Sequence, residues 1–225
     1  MLDLELEGQV AIVTGASRGL GRASAVALLQ QGVRVLAVAR SIEELRKLQD
    51  DHPGVVRAVH CDMLDGDAVA ALPQQALDAF GRLDIVVNNA GIAPAGRFVE
   101  QSPAVWQQVM AVNVTAPMLL AQAAGRIMLA QGSGKIINIA STSGILGKAT
   151  LVAYSSSKGA LLQFTKALAA EWAKGGVQVN AIAPGAFETD AQAAVLESPE
   201  MLTRRLRKIP AGRMGGSDEI GPLVC

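Results

Sequence analysis

Aromatic residues are scarce in this sequence: they make up 3% of its 225 residues, with one tyrosine, two tryptophans and four phenylalanines. Alanine, valine, leucine and glycine dominate instead, a composition that suits helices packed closely on a sheet. A chain of this length can bury the core of one domain. A charge surplus is also absent, because 20 basic residues balance 20 acidic ones. This balance argues against a nucleic-acid-binding protein, which normally carries a basic surplus.

Cysteine is nearly absent as well. The chain has two, Cys61 and Cys225, and their separation matches neither a metal-ligand spacing nor a disulfide framework. Residues 1–7 are acidic and lack the apolar segment of a secretory signal, and no apolar run approaches the length of a membrane span. We therefore expect a soluble, cytoplasmic protein without a membrane partner or a metal site.

Apolar, β-branched runs alternate with helical patterns along the chain. The predicted strands are residues 9–14, 33–39, 55–61, 84–87, 135–140 and 178–183. The predicted helices are 19–31, one that starts at 41, 65–80 with a weakness at Pro73, 102–131 with a bend at Pro117, and 152–174. Continuously apolar strands indicate a parallel sheet covered on both faces. The alternation predicts a doubly wound α/β fold, with residues 1–225 as one domain.

A glycine-rich segment, residues 14–21, lies between the first predicted strand and the first predicted helix. Gly15, Gly19 and Gly21 permit positive φ angles and a close approach to the backbone. The N-terminus of the helix offers free N–H groups to a pyrophosphate. The spacing differs from the usual Gly-x-Gly-x-x-Gly fingerprint, and a tight turn without a ligand would also need glycine. The strand–loop–helix context favours dinucleotide binding.

The end of the second predicted strand indicates which dinucleotide is preferred. An NAD site usually has an acidic residue there, whereas this chain has Arg40, and its first acids, Glu43 and Glu44, fall inside the next helix. Guanidinium groups suit phosphate because they present paired donors. Arg40 is therefore placed for a 2′-phosphate and Arg18 for its other side, which favours NADP over NAD. The alternative is that both arginines are solvated surface residues.

The single tyrosine, Tyr154, stands four residues before Lys158 and thirteen after Ser141. In a helix, positions i and i+4 share a face, so the phenol and the ammonium point the same way. A nearby positive charge lowers the pKa of a phenol from its usual value of about 10. The pair then suits proton exchange in carbonyl–alcohol chemistry, although such pairs are also common without a catalytic role.

Taken together, these features resemble the short-chain dehydrogenase/reductase family over nearly the whole chain. The family's elements occur in order as the 14–21 loop, Asp62, the Asn-Asn-Ala-Gly segment 88–91, Asn113, Ser141, Tyr154 with Lys158, and Pro184-Gly185. The resemblance implies a single Rossmann-type domain with helices on both faces, strand order 3-2-1-4-5-6 and a substrate lid at about 186–209. It also implies a seventh strand after residues 217–225. The sequence ends before that strand, which we expect of either a truncated product or a part of a longer protein.

The resemblance implies a catalytic role for four residues. Tyr154 would exchange a proton with the carbonyl or alcohol oxygen. Lys158 would lower the Tyr154 pKa and bind the nicotinamide ribose. Ser141 would hold the substrate oxygen, and Asn113 would position a water that links Lys158 to solvent. Ser143 would contact the substrate.

The resemblance also implies which residues bind the cofactor. Asp62 and the backbone at Met63 would contact adenine, and Asn88 would support the fold. The remaining cofactor-binding residues are Gly15, Ser17, Arg18, Gly19, Leu20, Gly21, Arg40, Asn89, Ala90, Gly91, Tyr154, Lys158, Pro184, Gly185, Phe187 and Thr189.

The resemblance further implies a homodimer or homotetramer. One family interface uses the helices predicted at 102–131 and 152–174, whose small-residue faces carry Ala123, Ala124, Ala160 and Ala167. The other interface uses the seventh strand, so we expect the dimer of helices to persist. The same faces also suit packing within one domain.

The substrate is the least specified feature of the sequence. The lid carries Arg204, Arg205, Arg207 and Lys208, which are either a solvated face or a site for anionic substrates. Cations outside the lid are few, chiefly Arg126 and Lys174. The sequence thus favours a small carbonyl or alcohol substrate, such as a sugar, polyol, ketone or hydroxy acid. The alternatives are a 3-oxoacyl-(acyl-carrier-protein) reductase and, in a different class, a non-catalytic NADP-binding sensor or scaffold.

Overall fold

The computed structural model describes residues 4–225, so the start of the acidic N-terminal segment, residues 1–3, lies outside the described residues. The strands are β1 Val10–Thr14, β2 Arg34–Ala39, β3 Val56–His60, β4 Ile85–Asn88, β5 Gly134–Ile139 and β6 Val177–Ile182. They form one parallel sheet in the order β3-β2-β1-β4-β5-β6. The predicted doubly wound fold and strand order are therefore confirmed.

Helices connect and follow the strands. The helices are α1 Gly19–Gln30, α2 Ile42–Asp51, α3 Gly66–Phe80, α4 Pro103–Met110, α5 Ala116–Gln131, α6 Ser143–Leu146, α7 Val152–Trp172, α8 Ala193–Leu196, α9 Pro199–Leu206 and α10 Gly221–Val224. Pro73 lies within α3 without breaking it, and α7 ends in a 3-10 turn at Ala173–Gly175.

The sheet is covered on both faces, as its apolar strands predict. Every residue of β1 is buried. On one face, Leu28 of α1 and Leu45 of α2 pack with Val224 of α10. On the other face, Leu72 of α3 and Leu120 of α5 enter a second core cluster. The parallel strands therefore end at one edge between two helical layers, where α/β proteins bind ligands.

The predicted long helix over 102–131 is interrupted in a way that the sequence reading missed. A π-helical turn at Ala111–Thr115 joins α4 to α5. Pro117 explains the break, because it has no N–H group and the α-helical hydrogen bond to the carbonyl of Asn113 cannot form. The irregularity therefore falls on Asn113 itself.

The stretch Pro103–Gln131 is the one helix of the described chain that is long and apolar enough to cross a membrane. In the structure it is a packed element of the domain. Leu120, Ala121 and Met128 on its inner side are at most 1% exposed and belong to the core between α5 and the sheet. Ala124, one of the small residues considered for a dimer, is buried there too.

The residues of the predicted substrate lid, 186–209, form short elements. They are a 3-10 turn at Asp190–Gln192, α8 and α9. The base of the lid is fixed by two backbone hydrogen bonds to Gly215, from Glu188 N to its carbonyl (2.8 Å) and from its N–H to Ala186 O (2.9 Å). The start of the lid is therefore attached to the domain beside β6.

The last described residues fold back on α1. A 3-10 turn at Ser217–Ile220 leads into α10, and Ile220 is fully buried in the core. Glu219 caps this turn by accepting a hydrogen bond from Gly216 N at 2.7 Å. Within residues 4–225, β6 pairs with β5 on one side and with no strand on the other.

Candidate active site

A cleft of about 690 Å³ lies at the carboxyl ends of the strands. Segments that follow all six strands line it, which places the site where the fold predicts it. A larger groove of about 820 Å³ lies beside edge strand β3 and contains none of the predicted site residues. We therefore take the smaller cleft as the candidate active site.

Most of the predicted site residues line this cleft. They are Gly15, Ser17, Arg18, Gly19, Leu20, Arg40, Asp62, Met63, Asn89, Ala90, Gly91, Ser141, Tyr154, Lys158, Pro184, Gly185, Phe187 and Thr189. Gly21, Asn113 and Ser143 do not line it. Gly21 and Asn113 support its walls from behind, as their contacts show.

The glycine loop forms a tight cradle at the N-terminus of α1. Gly15 and Gly19 have φ angles of +67° and +54°. Residues with a Cβ rarely adopt such positive φ angles. A Cβ on Gly21 would overlap the carbonyl oxygen of Gly15. Asn89, which directly follows β4, holds the loop in place, because its Nδ2 donates a hydrogen bond to Thr14 O at 2.9 Å. A rigid loop of backbone N–H groups before a helix fits a pyrophosphate.

The far end of the cleft carries a basic residue and an acidic residue that is paired with a lysine. Arg40 lines the cleft, is exposed, and forms no ion pair within the described chain. Glu44 also lines it, but its Oε1 is 2.7 Å from Lys47 Nζ. Because of that hydrogen bond and charge, the pKa of Glu44 is lowered. Arg18 Nε lies 3.9 Å from Asp190 Oδ2, an exposed and weak contact.

Tyr154 lies in the first turn of α7 and faces the cleft. Burial raises the pKa of its phenol, and a hydrogen bond with Ser141 opposes that rise. This direction is opposite to the lowering that the Tyr–Lys spacing predicts. The phenol therefore keeps its proton, which is the form that can donate to a carbonyl oxygen.

Lys158 is buried behind the tyrosine, one turn further along α7. Its side chain is almost enclosed at 3% exposure, and Nζ donates to Ile139 O at 2.7 Å. Nζ lies 5.8 Å from the centroid of the Tyr154 ring, so the predicted shared face is confirmed. Burial lowers the pKa of Lys158 from 10.5 to about 8, so the amine exchanges protons near neutral pH.

Ser141 follows β5 and lies beside the phenol. Its Oγ accepts a hydrogen bond from Ser143 N at 3.1 Å, which leaves its hydroxyl hydrogen available as a donor. The side chain of Ser143, predicted to touch the substrate, does not line the cleft. The contribution of Ser143 is the N–H group that orients Ser141.

Asn113 is fully buried in the π-helical turn. Its side chain bonds Ile92 N and Ile92 O, each at 2.9 Å, and Ser157 Oγ at 2.9 Å. The amide group thus holds the loop after β4 against α7. Both amide hydrogens are used in these bonds. Because Pro117 cannot donate the usual α-helical hydrogen bond to Asn113 O, that carbonyl is the group of Asn113 best suited to a water. A Cβ at position 91 would lie 3.2 Å from Asn113 Oδ1, so the Asn113 amide would have to shift to admit it.

Asn88, predicted to support the fold, lies in a buried polar chain below the cleft. Its Nδ2 donates to Asn138 Oδ1 at 2.9 Å, and Asn138 donates to Thr165 Oγ1 at 2.9 Å. This chain of hydrogen bonds links β4 and β5 to α7, the helix that carries Tyr154.

Sequence reasoning missed several residues that line the cleft. They are Ser41, Glu44, Cys61, Leu64, Ile92, Ala93, Gln108, Val112, Ile139, Ala140, Asp190 and Gln192. Most of them neighbour a predicted residue at a strand end. They could have been predicted by including every residue close to the end of a predicted strand. Gln108 is different, because it reaches the cleft from α4 and only the packing of that helix places it.

Comparison with known proteins places this geometry in context. The family model for short chain dehydrogenases matches residues 9–200. A 2-dehydro-3-deoxy-D-gluconate 5-dehydrogenase from Pseudoalteromonas atlantica is 38% identical over 228 residues, which cover 97% of this chain and 88% of that protein. A 3-oxoacyl-[acyl-carrier-protein] reductase from Vibrio cholerae is 36% identical over 222 residues, covering 99% and 90%.

A solved structure is similar over the same extent. A protein from Beutenbergia cavernae, assigned as an NAD(P)-dependent gluconate 5-dehydrogenase and solved with NADP bound at low occupancy, superposes with a TM-score of 0.89. It is 39% identical, and the match covers 97% of this chain and 89% of that one.

Proposed function

Because this chain belongs to the short-chain dehydrogenase/reductase family and is an NAD(P)-dependent oxidoreductase, we propose that it interconverts a carbonyl and a secondary alcohol on a small substrate, with NADP(H) and with Tyr154 as the acid–base group. The observation that carries this proposal is the enclosed pair of Tyr154 and Lys158 in the cleft that holds the glycine cradle. We also propose that residues 1–225 act as one domain, in the cytoplasm, as a homodimer or homotetramer.

The fit of a dinucleotide rests on this chain's own cradle and cleft. The backbone of the Gly15–Gly19 turn would hold the pyrophosphate, Asp62 and Met63 the adenine, and Lys158 the nicotinamide ribose. Bound NADP(H) supplies or accepts the hydride.

Proton exchange is the part of the reaction that the side chains perform. In the reducing direction, Tyr154 donates its proton to the carbonyl oxygen, while the Ser141 hydroxyl polarises the same oxygen. The phenolate that forms is stabilised when Lys158 is protonated, because opposite charges nearby favour the charged form. Lys158 would then pass a proton to the Tyr154 phenolate, and a water on the Asn113 carbonyl would return one from solvent to Lys158. In the oxidising direction each transfer reverses.

We propose NADP rather than NAD because the cleft offers Arg40, while the carboxylate of Glu44 in the same cleft is paired with Lys47. Replacing Arg40 with aspartate is expected to raise the KM ratio of NADPH to NADH about a hundredfold, since it removes a charge-assisted hydrogen bond and adds repulsion. The matched control is Arg46→Asp, the same change at an exposed arginine of α2 outside the cleft. An equal shift in both variants, or none in Arg40→Asp, contradicts a phosphate-reading role.

A second candidate is a 3-oxoacyl-(acyl-carrier-protein) reductase. The similarity to the Vibrio cholerae enzyme favours it, and so do the exposed arginines Arg204 and Arg207 of the lid, which suit an acidic carrier protein. It would use the same Tyr154 chemistry on a larger, protein-bound substrate.

The experiment that tests the proposed function is a panel of carbonyl compounds and alcohols followed by NADPH absorbance. The panel should contain sugars, polyols, ketones, hydroxy acids and 3-oxoacyl thioesters, both free and on a carrier protein. Turnover of a small compound supports the proposal, and turnover of carrier-bound thioesters alone supports the second candidate. Tight NADPH binding with no turnover of any compound would instead support a sensor or scaffold.

A further inference from the structure

Three serines separate Tyr154 from Lys158 in the sequence, and the structure gives each of them a different place. Ser155 accepts a backbone hydrogen bond from the loop that precedes α7, and Ser156 is exposed. Ser157 is fully buried. A buried hydroxyl needs hydrogen-bond partners, and both partners of Ser157 are residues of the proposed active site.

The hydroxyl of Ser157 acts as a donor and as an acceptor. Its Oγ donates to the carbonyl oxygen of Tyr154 at 2.7 Å and accepts from Asn113 Nδ2 at 2.9 Å. A serine within a helix often donates to a carbonyl about one turn earlier, so the first bond alone would be ordinary. The second bond is different, because it joins α7 to the π-helical turn that carries Asn113.

The amide of Asn113 is fixed in turn by the loop after β4. Its Oδ1 accepts from Ile92 N and its Nδ2 donates to Ile92 O, each at 2.9 Å. Ile92 lines the cleft. Hydrogen bonds therefore run from a loop of the cleft wall through Asn113 and Ser157 to the backbone of Tyr154. Loss of the Ser157 hydroxyl would leave a buried amide hydrogen unpaired, which is costly.

The same turn of α7 is held at two other points. Lys158 Nζ donates to Ile139 O at 2.7 Å, at the end of β5. Gly144 of α6 packs on the helix backbone, because a Cβ on Gly144 would lie 2.6 Å from the carbonyl carbon of Lys158. Both contacts come from β5 and the segment that follows it. Ser157 adds a connection to the segment that follows β4.

The spacing between this turn and Asn113 also concerns the amine of Lys158. A Cβ on Gly91 would lie 3.2 Å from Asn113 Oδ1 and 3.5 Å from Lys158 Nζ, so the two groups border one small space beside Gly91. Gly91 itself lines the cleft. A shift of α7 relative to Asn113 would therefore change the spacing between the groups that are proposed to exchange protons.

We propose that Ser157 is a positioning residue, whose hydroxyl, held by Asn113, sets the place of Tyr154 relative to the loop after β4. The effect of Ser157 on turnover rests on the proposed function. Because a displacement of about 1 Å can lower a rate a hundredfold, even a small shift of this turn is expected to slow the proton transfer from Tyr154.

The test uses the fact that Tyr154 is the only tyrosine of the chain. Protein labelled with ¹³C at Cζ of tyrosine gives one NMR resonance, which reports on the surroundings of the phenol without any substrate. The value of kcat with the best panel compound and the NADPH dissociation constant are measured in parallel. The variants are Ser157→Ala and Ser157→Cys, whose thiol fills a similar space but is a weak donor and acceptor.

Thr165→Val is the matched control. Thr165 makes the same two kinds of hydrogen bond about two turns further along α7, since its Oγ1 donates to Leu161 O at 2.8 Å and accepts from Asn138 Nδ2 at 2.9 Å. Loss of this hydroxyl should lower the urea midpoint as Ser157→Ala does, because each leaves a buried amide hydrogen unpaired. It should leave kcat and the Tyr154 resonance unchanged.

Ser157→Ala and Ser157→Cys are each expected to lower kcat about tenfold and to shift the Tyr154 resonance. The NADPH dissociation constant should change by no more than about twofold. In an Asn113→Ala background, where the connection is already lost, Ser157→Ala should lower kcat by less than about a further twofold. A full tenfold further loss in that background, or an equal loss in Thr165→Val, would overturn the proposal.

The Tyr154 resonance separates this inference from the function on which it rests. If no compound is turned over, but both Ser157 variants shift the resonance and Thr165→Val does not, the proposed function fails and the positioning role stands. If a compound is turned over and neither Ser157 variant changes kcat or the resonance, the function stands and the positioning role is wrong.

Discussion

Replacing Tyr154 with phenylalanine is expected to lower kcat about a thousandfold, the usual contribution of a positioned acid–base group. The ring that packs beside Lys158 is kept, and only the hydroxyl that exchanges the proton is lost. NADPH binding should therefore change by no more than about twofold, since the glycine cradle and Arg40 are untouched.

The measurement is kcat with the best compound of the substrate panel, together with the NADPH dissociation constant from fluorescence titration. Ser156→Ala is the matched control, because Ser156 is an exposed hydroxyl on the same turn of α7. Parental turnover in Tyr154→Phe would show that another group transfers the proton.

Replacing Lys158 with methionine is expected to lower kcat at least a hundredfold and to change how stability depends on pH. The loss of turnover follows because the phenolate then forms without its neighbouring positive charge. The side chain is enclosed, and methionine, an unbranched apolar side chain, fills a similar space.

The pH effect follows from the direction of the pKa shift. Burial lowers the pKa of Lys158 from 10.5 to about 8, so between these values the unfolded chain binds the proton more strongly than the folded protein. Burial of the charged amine therefore lowers the free energy of unfolding of the wild type by its full amount below about pH 8. That free energy rises again as the pH increases toward 10.5. The recovered free energy is about 3 kcal/mol, from the size of the shift.

Urea unfolding of both proteins at several values between pH 7 and 10.5 measures this effect. The difference in the free energy of unfolding between Lys158→Met and the wild type should shrink by about 3 kcal/mol between pH 7 and 10.5. All other groups titrate alike in both proteins. Lys166→Met removes an exposed lysine from the same helix and should show no such slope. A constant difference for Lys158→Met would contradict a buried amine that loses its proton near pH 8.

The strands and the cleft were predictable because local and global signals agree there. Apolar, β-branched runs such as Val10–Thr14 favour strands buried on both faces, and the glycines at 15 and 19 suit the positive-φ turn that the structure gives them. Since parallel strands end at one edge, residues as distant in sequence as Gly15 and Tyr154 meet in one cleft.

The features that sequence reasoning missed depend on packing between distant segments. Periodicity alone does not predict the π-helical turn at Asn113, although Pro117 four residues later gives a physical reason for it. The direction of the Tyr154 pKa shift was predicted wrongly, because burial raises that pKa by more than the hydrogen bond with Ser141 lowers it. The spacing of two residues along the sequence predicts that their side chains are neighbours, but it does not predict how far packing removes them from solvent.

The central claim is that Tyr154 exchanges a proton with an oxygen whose carbon receives hydride within this cleft. The most direct measurement repeats the productive panel reaction with NADPH that carries deuterium at both C4 positions, followed by mass spectrometry of the product alcohol. The account predicts one deuterium on the former carbonyl carbon of each product molecule, and a rate that falls with Tyr154→Phe. Product without deuterium on that carbon would contradict the account.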